Sequence, residues 1–188
     1  ISVPAARSVF EREGDPDHVL MTGNPVRRSV IEGDRARGRK TLGVPEDATL
    51  LLVFGGSLGA QHLNERVASL KGELLTRENL YILHSTGADG FEETERALAL
   101  MPEEAKRYRV QPYIDNMGDM LAAADLVLSR SGASSVAEIA ALAVPSVLVP
   151  YPHADGRPPT TNAPLVVVDA RGRVLCADAG IVRFCLAG

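Results

Sequence analysis

The order of apolar and turn-forming segments in this 188-residue chain predicts an α/β fold, a Rossmann-like, doubly wound parallel sheet. Three observations carry that prediction. Short apolar runs alternate with amphipathic stretches of helical length. The runs are near-continuously apolar, as expected of strands covered on both faces. The turns after the runs carry glycine and small hydroxylated residues, at the strand ends where such sheets bind ligands.

The elements follow in order. HVLMT at 18–22 reads as a short strand closed by Gly23-Asn24-Pro25, because proline disfavours helix in the residue before it. EGDRARGRK at 32–40 mixes both signs of charge and reads as a solvated helix face or loop, with a weak affinity for anionic lipid headgroups as its only functional use. TLLLVF at 49–54 has no period-two polarity and reads as a central strand; AQHLNERVASL at 60–70 follows as a helix. YILHSTG at 81–87 is a strand and turn, FEETERALALM at 91–101 a helix, and RVQPYI at 109–114 a strand. MGDMLAAA at 117–124 is a helix, DLVLS at 125–129 a strand, SSVAEIAALA at 134–143 a helix, and SVLVPYP at 146–152 a strand. PLVVVDARGRVLCADAG at 164–180 has two apolar runs about the turn-like ARGR and reads as two further strands.

Two turns carry chemistry. In FGGSLGAQHLN, Gly55 and Gly56 let the backbone turn tightly, and Ser57 adds a hydroxyl where a helix begins and an anion is favoured. The spacing fits neither the dinucleotide fingerprint nor the P-loop, so close packing of strand and helix is an equal reading of the glycines. In SRSGASSVAEIA, small residues from Ser129 to Ser135 let a ligand approach the backbone of a helix start. Glu138, about a turn further on, is placed to accept hydrogen bonds from ribose hydroxyls; a solvated carboxylate favoured by the helix dipole is the plainer alternative. Together the two loops suggest a nucleoside diphosphate.

Several classes are excluded or disfavoured. A formal net charge of −4 offers no general attraction to nucleic acid. No apolar run reaches the roughly 18 residues of a membrane-spanning helix, and ISVPAARSVFEREGD has no signal-peptide core, which reads as a cytosolic chain. His18, His62, His84 and His153 are scattered, as are Cys176 and Cys185, so no metal and no cofactor is predicted.

GNPVR at 23–27, GGSLGAQHLN at 55–64, HSTG at 84–87, YID at 113–115 and RSGASSVAEIAALAVPSVLVPYPHA at 130–154 together resemble the MurG family, in the family's order. The resemblance implies the carboxy-terminal half of a GT-B glycosyltransferase, with residues 1–22 a remnant of the preceding domain and linker and 23–188 a UDP-GlcNAc-binding domain. It implies an inverting transfer of GlcNAc from UDP-GlcNAc to lipid-linked MurNAc-pentapeptide, converting lipid I to lipid II, by an enzyme peripheral to the cytoplasmic side of the bacterial plasma membrane. The acceptor and the catalytic base would belong to the other domain, so the chain alone is expected to bind donor without turnover. By the same resemblance Arg27 and Ser57 contact the donor, backbone groups of Ile114 pair with uracil, and Ala133, Ser134, Ser135, Val136, Ala137 and Glu138 hold phosphate and ribose. Gly55, Gly56, His153 and Asn162 border the donor. One departure stands out: Pro159 occupies the position of a donor-contacting glutamine in the loop HADGRPPTTNA, and proline has neither side-chain donor nor backbone N–H. A non-catalytic nucleotide-sugar binding module, or another UDP-sugar-using GT-B or epimerase-like protein, fits the same residues.

Overall fold

A computed structural model describes residues 19–20, 22–55 and 60–149, and the backbone of two strands at 166–168 and 174–177. The elements are α1 (Arg28–Ile31), α2 (Arg35–Leu42), β1 (Thr49–Phe54), α3 (Gln61–Ser69), α4 (Lys71–Leu75), β2 (Leu80–Ser85), α5 (Phe91–Leu98), β3 (Tyr108–Gln111), α6 (Met117–Ala123), β4 (Leu126–Arg130), α7 (Ala133–Ala141), β5 (Ser146–Val149), β6 (Val166–Val168) and β7 (Val174–Ala177). The sheet order is β3-β2-β1-β4-β5-β6-β7. The first five strands are mutually parallel. β6 and β7 add antiparallel at one edge, where the two apolar runs around ARGR were expected as strands.

Central strand β1 shows why its sequence is continuously apolar. Leu50, Leu52 and Phe54 enter a core with Val30, Leu42, Leu121 and Ile139. Leu51 and Val53 enter a second core with Leu63, Val67, Leu74 and Leu98. Helices α1, α2, α6 and α7 therefore cover one face, and α3, α4 and α5 the other. With both faces buried, a polar residue anywhere from Leu50 to Phe54 would lose its water on either side. Strand order reverses beside β1, with β2 on one flank and β4 on the other, which opens a crevice at their carboxyl ends.

Three expectations change. At 18–22 the described residues form no strand: the segment runs into Gly23 with φ of +71° and then Pro25, and among the described residues the first strand in chain order is β1. The helix expected to reach Met101 stops at Leu98, where Ala99 turns left-handed at φ of +40° ahead of Pro102. The charge run at 32–40 contains most of α2, capped by the Asp34 side chain on the Arg37 amide and closed by left-handed Gly43. It is not merely a solvated face, since Arg39 is 1% exposed.

At three glycines the main chain around α1 and α2 meets that of α6 closely. A Cβ on Gly33 would overlap the Gly118 carbonyl, one on Gly118 would overlap the Ser29 carbonyl, and one on Gly38 would overlap that of Asp119. Backbone cannot give way as a side-chain end can. Gly118→Ala is therefore expected to destabilise the domain by about 2 kcal/mol, typical of overpacking, read as a lowered urea midpoint. An unchanged midpoint would show that the helices part freely.

Candidate functional site

At the carboxyl ends of β1 and β2 lies a cleft of about 310 Å³. Arg27, Ile114, Ser134, Ser135 and Glu138 line it, so residues from three distant segments converge. Pro25, Phe54, Ser85, Tyr113 and Met117 complete the lining. The sequence reading did not single these out. Phe54 and Ser85 are the last residues of β1 and β2, so the strand-end rule itself was the available signal.

Each wall has a simple origin. Arg27 is the N-cap of α1, in extended conformation. Ile114 sits between β3 and α6 with its side chain in the core, 3% exposed. Its peptide N–H and C=O have no protein partner among the described residues. A buried side chain thus anchors, in the lining of the cleft, a backbone donor and acceptor without a partner among the described residues. Opposite, α7 begins after Gly132, which supplies no side-chain cap. The first amide bonded within the helix is that of Val136, to the Gly132 carbonyl at 2.9 Å. The preceding amides are free to face an anion, and the Ser134 and Ser135 hydroxyls make no hydrogen bond to the described residues.

Glu138 is buried, and its Oε1 accepts from Arg27 Nε at 3.0 Å. That bond and the charge of Glu138, with a smaller contribution from Tyr113, raise the proton affinity of the Arg27 guanidinium. Val136 packs against the core rather than the cleft, Ala133 is exposed, and Ala137 and Gly55 are half-buried. Gly56, Ser57, His153, Pro159 and Asn162 lie outside the described residues.

A second cleft of about 350 Å³ lies on the α1–α6 side and shares Arg27 and Met117 with the first. Its buried carboxylate is already satisfied: Asp119 receives both Arg37 Nε at 2.6 Å and the Asp34 amide at 2.9 Å. The hydrogen bond from Arg37 holds Asp119 below the ordinary carboxylate range. The first cleft, with its unpaired peptide and helix start, is the better ligand site.

Buried His84 belongs to neither cleft. Its partners fix its tautomer. Asn64 Nδ2 must donate to the Thr86 carbonyl, at 2.9 Å, so Asn64 Oδ1 accepts from His84 Nε2 at 3.0 Å. His84 Nδ1 then accepts from the Tyr108 hydroxyl at 3.0 Å. Burial lowers the His84 pKa to about 4 and pushes the Tyr108 phenol up. The histidine is a neutral core group with both nitrogens in use. Among the described residues no group of three His, Cys, Asp or Glu could hold a metal ion, and no helix is long and apolar enough to cross a membrane.

Residues 50–178 match the family described as glycosyltransferase family 28 C-terminal domain. Three curated relatives bear the name UDP-N-acetylglucosamine--N-acetylmuramyl-(pentapeptide) pyrophosphoryl-undecaprenol N-acetylglucosamine transferase. The one from Halothermothrix orenii is 36% identical over 81% of this chain and 42% of its own length. That from Carboxydothermus hydrogenoformans is 44% identical over 71% and 36%, and that from Rhodococcus erythropolis 36% identical over 96% and 45%. The chain thus spans less than half the length of these relatives. Among solved structures, Acinetobacter baumannii MurG superposes with a TM-score of 0.57 at 28% identity, over 82% of this chain and 45% of that one. WaaG, a glycosyltransferase of lipopolysaccharide biosynthesis, shares the fold at 16% identity and a TM-score of 0.53.

Proposed function

The chain belongs to the glycosyltransferase family 28 C-terminal domain family, and from that premise we propose that it is the donor-binding domain of an enzyme that moves GlcNAc from UDP-GlcNAc to undecaprenyl-pyrophosphoryl-MurNAc-pentapeptide. The observation that carries this reading is one cleft lined both by Ile114, whose peptide groups have no partner among the described residues, and by the start of α7 with Glu138. A flat base is read by one N–H and one C=O side by side. A diphosphate suits the free amides of a helix start, and vicinal hydroxyls suit a carboxylate. The names of the relatives supply the sugar and the lipid-linked acceptor.

In such a transfer the acceptor hydroxyl attacks the anomeric carbon as the bond to UDP breaks, inverting the centre, and negative charge grows on the departing diphosphate. The role of this domain is to hold that leaving group. The α7 amides and the Ser134 and Ser135 hydroxyls supply donors, and Ser57 on the glycine loop adds another. Activation of the acceptor hydroxyl falls to the remainder of the enzyme. Under this proposal the whole enzyme works peripherally at the cytoplasmic side of the plasma membrane, a reading that a lipid-linked acceptor supports.

The test is calorimetric titration with UDP, UDP-GlcNAc and ADP. Binding of both uridine ligands with little affinity for ADP supports the reading, and equal binding of UDP and ADP overturns the role of Ile114. Glu138→Ala is expected to weaken UDP binding by about 1.5 to 3 kcal/mol, the range for hydrogen bonds to charged groups. It should weaken 2′,3′-dideoxy-UDP far less. Equal losses for the two ligands would return Glu138 to a structural role.

A further inference from the structure

We infer that Arg27 is a positioning residue for nucleotide recognition, acting through Glu138 by fixing which carboxylate oxygen is presented to the ribose. The inference rests on the ribose reading of Glu138 and goes beyond a direct contact between Arg27 and the donor.

The geometry separates the two oxygens. Glu138 projects from the second turn of α7 with its side chain 11% exposed, and Oε1 is taken by Arg27 Nε at 3.0 Å. Oε2 has no hydrogen bond to the described residues, yet it is not sealed from solvent, since the one buried side-chain atom there without a partner is Arg39 Nε. A glutamate has three rotatable bonds, so an untethered carboxylate would spread over several orientations, and ordering it would oppose ligand binding. The Arg27 bond settles that orientation before the ligand arrives. Both hydroxyls of a ribose then meet a carboxylate whose free oxygen is already aimed.

Arg27 is suited to this task by its own placement. It is the N-cap of α1, a helix held to α6 by backbone contact at Gly118, so its Cα cannot drift from the segment that carries Ile114. It donates through Nε, which leaves both terminal nitrogens outside the pair. A lysine offers a compact point charge without the planar fork that holds a carboxylate in one orientation.

The experiment compares dissociation constants for UDP and 2′,3′-dideoxy-UDP in the parent chain, Arg27→Ala, Arg27→Lys, Glu138→Ala, Glu138→Gln and Arg27→Ala/Glu138→Ala. The quantity read is the preference for UDP over the dideoxy ligand. Arg27→Ala should lower that preference about five-fold, within the span of couplings between touching residues, and Arg27→Lys should restore only part of it. In the Glu138→Ala background the arginine substitution should leave the preference unchanged. If Arg27→Ala weakens both ligands equally, the arginine acts on the donor directly and the inference falls while the ribose reading stands. If neither Glu138→Ala nor Glu138→Gln alters the preference, the ribose reading falls and takes the inference with it.

Discussion

Replacing Arg39 with methionine is expected to cost the domain about 3 to 5 kcal/mol, the range for removing one member of a buried ion pair. The guanidinium is 1% exposed on the inner side of α2. It donates to the Ala123 carbonyl at 3.2 Å, to Asp125 Oδ2 at 3.1 Å, to the Pro45 carbonyl at 2.5 Å, and to the Ala48 carbonyl. Methionine fills similar space and leaves the Ala48 carbonyl without its donor, while the Ala123 carbonyl keeps Arg35 and the Pro45 carbonyl keeps the Ala48 amide. Burial alone would raise the pKa of Asp125, but the Leu50 amide, Arg35 and Arg39 together outweigh it and hold the carboxyl below its ordinary value. Because Asp125 is about one-third exposed and keeps Arg35 and Leu50, the loss should fall toward the lower end of the range. Denaturant unfolding of parent and variant measures it; a loss below 1 kcal/mol would mean that water reaches the Ala48 carbonyl.

Acidification should destabilise the domain well before its carboxylates are protonated. His84 has a pKa of about 4 in the folded state against 6.5 when unfolded, because burial penalises its charged form. Between those values the unfolded chain binds a proton that the folded chain refuses. Stability is complete above about pH 6.5 and declines as pH falls toward 4, by a total on the order of 3 kcal/mol at 1.36 kcal/mol per pKa unit. His84→Gln keeps a donor for Asn64 and an acceptor for Tyr108 but cannot take the proton. Urea midpoints at pH 7, 5.5 and 4.5 should therefore fall more steeply in the parent than in His84→Gln. Parallel slopes would place the acid sensitivity elsewhere. Asp119 and Asp125, whose folded pKa values are lowered, add their own loss only at lower pH.

The sequence reading succeeded where a local pattern has one physical solution. TLLLVF forms β1 over the expected residues because its apolar run of five, Leu50 to Phe54, can be buried on both faces only in a central strand. The start of α7 was legible in the same way, since small residues before an amphipathic stretch mark where a helix begins. What the sequence withheld depends on partners far along the chain. Arg39 looks like one cation among several until Asp125, 86 residues later, meets it. The pairing of Glu138 with Arg27 spans 111 residues. Ile114 belongs to a recognisable segment, but its free peptide groups follow from the absence of a strand or helix at that point, which no side-chain pattern encodes.

The glycine contact between α1–α2 and α6 also limits how this cleft can diverge. An interface filled by side chains can be retuned in steps, one residue growing as its neighbour shrinks. Gly33 faces the main chain of Gly118, and Gly118 that of Ser29 and Val30, so no compensating side-chain change is available to a mutant that gains a methyl group. Tyr113 and Met117, which line the cleft and take no part in that contact, remain open to substitution. The main-chain contact thus acts as a fixed gauge for the placement of Arg27, the residue that leads into α1, relative to α6.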